Sequence, residues 1–116
     1  MRYFDLLKKK AETRKMFLEN LDYYLKLIKE FFVKKLGKVD VYVFGSVLRK
    51  DFTANSDIDI LVVCVNMPEF SYKKAKLLAE LKKVIGFVNP FEIHMVTEEE
   101  YKNWYCRFIK EKKLIY

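Results

Sequence analysis

A chain of 116 residues has length for one compact domain with a single core, and too little for a catalytic domain plus an independent recognition domain. Hydrophobic residues make up 52% and aromatic residues 16%, which excludes a disordered segment. The formal charge of +7 is carried by 19 lysines and four arginines scattered as pairs and triplets (Lys8 to Lys10, Lys34-Lys35, Lys82-Lys83), a pattern of solvated helix faces rather than a focused basic groove.

No apolar run reaches the roughly 18 residues of a membrane span, and Met1-Arg2-Tyr3-Phe4-Asp5 does not open a signal peptide. The reading is cytoplasmic, with no membrane partner. Cys64 and Cys106 lack CxxC spacing and a supporting histidine cluster, so neither a zinc site nor a disulfide framework is expected, and Cys64 is read as core.

From Tyr3 to Leu36 apolar residues recur at three and four residue steps (Phe17, Leu21, Tyr24, Ile28, Phe31, Phe32), which predicts one long helix or two in sequence. Lys34, Lys35 and Gly37 suit its end. Val39 to Phe44 alternates as a short strand ended by Gly45, and residues 46–56 are turn-like. Asp57 to Val65 is a strand that is apolar on both faces after its first residues, hence central. Pro68 follows, and Ser71 is placed as the cap of a helix carrying Ala75, Leu78, Leu81 and Ile85, stopped by Gly86. Pro90 opens a third strand, Phe91 to Val96. Thr97 and Glu100 have capping-box spacing, and the helix that they start carries Tyr101, Trp104, Tyr105, Phe108 and Ile109 as core or partner contacts. Lys112 and Lys113 are read as a solvated tail.

The chemistry concentrates in Val41 to Val63. Residues two apart on a strand share a face at about 6.5–7 Å, so Asp57 and Asp59 are expected to aim at one point, where two anions repel unless a cation lies between them. Hard oxygen ligands suit Mg²⁺, whose shell is completed by water and substrate phosphates. Gly45 lets the backbone approach a phosphate, Ser46 offers a hydroxyl and an N–H, and Arg49 offers a permanently charged fork of donors. A phosphate cradle thus precedes a metal-binding pair.

Gly45-Ser46, ten residues (Val47 to Ser56), then Asp57-Ile58-Asp59 resembles the signature of the minimal nucleotidyltransferases within the DNA polymerase β-like superfamily. The resemblance extends to the order α-β-β-α-β-α. It implies an α/β (α+β) fold, a small mixed β-sheet flanked by helices, as a single domain over residues 1–116. It implies transfer of a nucleoside monophosphate from ATP to a hydroxyl with release of pyrophosphate. Gly45, Ser46, Arg49 and Ser56 would bind the nucleotide. Asp57 and Asp59, with a third carboxylate carried over to Glu92, would hold two Mg²⁺ ions, with Mn²⁺ as the alternative. Many relatives place Asp at the position of Glu92, and Lys50 stands where a Gly often follows the motif arginine.

Members of this group are similar to antitoxins paired with HEPN-type ribonuclease toxins. The resemblance therefore implies AMPylation of a toxin partner, at a hydroxyl such as that of tyrosine. Two rivals remain open: a non-catalytic antitoxin that binds its partner by surface contact, and a free-standing nucleotidyltransferase acting on a small molecule or an RNA end. The intact Asp57 and Asp59 count against the first, and no focused basic groove supports the second. Nucleic acid is not the favoured partner, and a homo-oligomer is left open. The sole histidine, His94, shares a strand face with Glu92 and is read as a packed or hydrogen-bonded residue.

Overall fold

The computed structural model describes residues 2–48, 56–108 and 111–116, with the side chain of Phe108 left aside. The predicted helical region is two helices, α1 (Tyr3–Glu19) and α2 (Leu21–Leu36), broken at Asn20. Asn20 donates its side-chain amide to the Met16 carbonyl, a local bond that competes with helix continuation. Gly37 closes α2 at a φ of 82°, and its N–H reaches the Val33 carbonyl.

Strand β1 (Asp40–Phe44) leads through a 3₁₀ turn (Gly45–Leu48) toward β2 (Ile58–Val63), which pairs with β1 antiparallel. Helix α3 (Ser71–Ile85) crosses over to β3 (Phe91–Val96), which lies parallel to β2. Ser71 is the first helical residue of α3 and Phe70 occupies the N-cap without a side-chain hydrogen bond, so the expected serine cap is not formed. The capping box does form: the Thr97 hydroxyl accepts from the Glu100 N–H at 3.1 Å, and the Glu100 carboxylate accepts from the Thr97 N–H at 3.2 Å.

Beyond it the expected continuous helix is segmented into α4 (Glu98–Glu100), a π-helical stretch (Tyr101–Tyr105) and α5 (Cys106–Phe108). Tyr101 and Tyr105 pack toward the sheet while Trp104 is exposed, so the anticipated apolar stripe is only partly inward; Ile109 lies outside the described residues. The Lys112-Lys113 tail is corrected as well. It belongs to a fourth strand, β4 (Lys112–Ile115), antiparallel to β1, with Ile115 in the core. The Lys112 ammonium lies 4.9 Å from the Tyr101 ring centre and 5.5 Å from that of Tyr42, rings that are themselves stacked.

The sheet order is β3-β2-β1-β4. One face carries Val41, Val43, Ile58, Ile60, Val62 and Ile115 against α2 and α3, through Ile28, Phe32, Leu81 and Ile85, and forms the main core. The other face has a smaller cluster of Leu61, Val63 and Val96 under Tyr42, Phe44, Tyr101 and Tyr105. Cys64 is buried at the main core, donating its thiol to the Lys38 carbonyl at 3.3 Å. Among the described residues no helix is long and apolar enough to cross a membrane.

Candidate active site

Strand alternation divides β2 between the two faces. Ile58, Ile60 and Val62 enter the main core, so Asp59, Leu61 and Val63 face the thinner cluster, and Asp59 stands where that cluster runs out. The register sets Asp59 opposite Phe44 on β1 and Glu92 on β3, and it sets Leu61 opposite His94. Glu92 and His94 are two apart on β3 and share the Asp59 face.

One ligand atom from each of Asp59, Glu92 and His94 lies within 4.8 Å of the others. The His94 Nε2 is 3.8 Å from an Asp59 oxygen and 3.8 Å from a Glu92 oxygen. Its ring is held 5.5 Å from Phe44 and 6.4 Å from Tyr105, centre to centre. Partial burial raises the Asp59 carboxyl above the usual aspartate range; the neighbouring Glu92 adds to that rise and His94 opposes it. A pair of carboxylates in this state attracts a divalent cation, and the three donors suit one chemically.

Gly45 packs directly against the Asp59 carboxylate. Its φ is 81°, and a Cβ there would collide with the Asp59 carboxylate. Gly45→Ala should therefore cost roughly 1–2 kcal/mol from the left-handed backbone alone and also displace Asp59. A lowered melting temperature together with weakened divalent-cation binding by calorimetry is the expected result.

Asp57 is not brought into the cluster. It precedes β2, and its carboxylate accepts from the Arg14 Nη2 at 3.0 Å, while the Arg14 Nη1 reaches the Ser56 carbonyl at 3.5 Å. Helix α1 thus pins the approach to β2. Ser46 lies half-buried in the turn after β1 and Ser56 is half-buried two residues before β2; Arg49 lies outside the described residues. Arg14 and His94 are the residues that the sequence did not assign to the site. The available signal for Arg14 was an arginine one helical turn before the core residue Phe17 on a lysine-rich helix; for His94 it was the face shared with Glu92.

Residues 25–116 match the nucleotidyltransferase domain family. The chain belongs to that family. It is 31% identical over 97 residues to the spectinomycin 9-adenylyltransferase of Staphylococcus aureus, a match covering 79% of this chain and 36% of that protein. The chain thus corresponds to about a third of the length of these curated relatives. A crystal structure of a protein provisionally named a nucleotidyltransferase superposes with a TM-score of 0.62 at 32% identity, over 78% of this chain and 96% of the other. A second, from Sulfolobus solfataricus and also provisionally named, has a TM-score of 0.57 at 22% identity over 90% and 85% of the two chains, and it supports the fold alone. The mixed sheet flanked by helices is the nucleotidyltransferase fold expected from the sequence, with β4 as an additional strand. Helix α1, with Arg14, precedes the residues matched to the nucleotidyltransferase family.

Proposed function

We propose that this nucleotidyltransferase moves AMP from ATP to a hydroxyl on a HEPN-type toxin protein and so acts as an antitoxin in the cytoplasm. The observation that carries the transfer reading is Asp59 and Glu92 facing each other across the parallel β2–β3 pair, with Gly45 leaving space for the Asp59 carboxylate. The acceptor oxygen forms a bond to the α-phosphorus, the bond to pyrophosphate breaks, and the hydroxyl proton leaves. Glu92, the more exposed of the two carboxylates, is the group assigned to receive that proton. Gly45, Ser46, Arg49 and Ser56 are assigned to hold the triphosphate. Asp59 and Glu92, joined by Asp57 if it exchanges Arg14 for a cation, would hold Mg²⁺ or Mn²⁺, which supplies charge neutralisation at the phosphates. Positioning and electrostatics suffice, so no covalent enzyme intermediate is invoked.

A protein acceptor is supported by the N-terminal half of α1. Tyr3, Phe4, Leu6 and Leu7 are exposed there beside Lys8 to Lys10, an apolar and basic surface suited to an acidic protein face. A second reading, a small-molecule hydroxyl acceptor, is favoured by the similarity to spectinomycin 9-adenylyltransferase.

ATP and a divalent cation together should raise the melting temperature more than the sum of either alone, because binding to the native state stabilises it by mass action. An unmoved melt at millimolar concentrations would remove the nucleotide site. Incubation with labelled ATP and a co-expressed HEPN-type protein then decides the acceptor. Label on that protein supports the antitoxin reading, and label only on an added aminocyclitol supports the second.

A further inference from the structure

His94 is the third member of the cluster and has no part in the transfer just described. We infer that His94 is a metal ligand and that, with Asp59 and Glu92, it biases the site toward Zn²⁺ and other imidazole-binding divalent ions relative to Mg²⁺. This rests on the metal-site reading of Asp59 and Glu92.

The donor set is mixed rather than purely carboxylate. Mg²⁺ prefers oxygen ligands and near-ideal octahedra, whereas imidazole nitrogen suits later first-row ions. The His94 Nε2 already lies 3.8 Å from an oxygen of each carboxylate. Neighbouring ligands on one ion, each at about 2.1 Å, stand about 3 Å apart, so small rotations of both the Asp59 and Glu92 side chains toward the imidazole close the two gaps. The imidazole has less freedom, since Phe44 and Tyr105 flank its ring. Strand alternation projects Glu92 and His94 to the same face, and the parallel register brings that face to Asp59.

The chain has a single histidine, so one imidazole signal reports the site. In ¹⁵N-labelled protein without nucleotide, ZnCl₂ should shift the His94 Nε2 resonance, and it should not do so in Asp59→Asn. In calorimetric titrations, His94→Gln should lower Zn²⁺ affinity about tenfold or more while changing Mg²⁺ affinity far less. An imidazole resonance unmoved by Zn²⁺, or equal losses for Zn²⁺ and Mg²⁺ in His94→Gln, would overturn the assignment of His94 as a ligand. Its ring would then only position Asp59. Undiminished Zn²⁺ binding in Asp59→Asn would instead remove the underlying carboxylate site, and the two failures are distinct.

Discussion

Asp59→Asn is expected to reduce AMP transfer by about 10³-fold or more, equivalent to roughly 4 kcal/mol of lost transition-state stabilisation, in a protein that still folds. The amide preserves the shape that Gly45 accommodates but removes the charge from the centre of the cluster. Retention of the fold follows from the direction of the Asp59 shift. A carboxyl whose folded pKa lies above its unfolded value binds its proton more tightly in the native state, so the metal-free fold loses stability as pH rises through that range. Ionising Asp59, partly buried and beside Glu92, works against folding, and Asn relieves it. The variant should melt at or above the parent at pH 7 without metal, and this gain should vanish as pH falls below the unfolded aspartate range. Near-normal transfer by a folded Asp59→Asn protein would remove Asp59 from the site.

Glu92→Gln should suppress the chemical step by about 10² or more while leaving ATP affinity largely intact. The carboxylate is more than half exposed on the edge strand, paired in register with Asp59, where an acceptor hydroxyl arriving from solvent meets it first. The nucleotide is assigned mainly to Gly45, Ser46, Arg49 and Ser56, which the substitution does not touch. Lost single-turnover rate with retained ATP binding is therefore the signature. Were Glu92 only a charge that blunts an edge strand against sheet pairing, the Gln variant would transfer AMP as fast as the parent.

Local signals in the sequence carried much of this architecture. Helix α3 and strand β3 run over the expected residues because a glycine or proline punctuates each and their apolar periods are unambiguous. Strand β4 was not legible: Lys112 and Lys113 read as solvent-facing, and only pairing with β1 makes a strand of Lys112–Ile115. Long-range pairing of this kind leaves a weak local pattern. The segmented helix after Thr97 has the same origin, since packing of Tyr101 and Tyr105 on the sheet overrides a uniform 3.6-residue repeat.

In the candidate site, the family resemblance pointed to Glu92 as the third carboxylate, and the parallel β2–β3 register sets it opposite Asp59. Alternation failed for Asp57, which lies just before the strand and is drawn to Arg14, a partner 43 residues away that no local pattern reveals. His94 was visible on the Glu92 face, but a lone histidine carries no specific signal until the register places it against two carboxylates.

The most direct test of nucleotidyl transfer uses ATP labelled separately at the α- and γ-phosphates, with a divalent cation and the co-expressed HEPN-type protein. Nucleotidyl transfer requires α-label on the acceptor, pyrophosphate carrying the γ-label in equal amount, and loss of both in Asp59→Asn. γ-Label on the acceptor, or α-label transfer undiminished in Asp59→Asn, would contradict it.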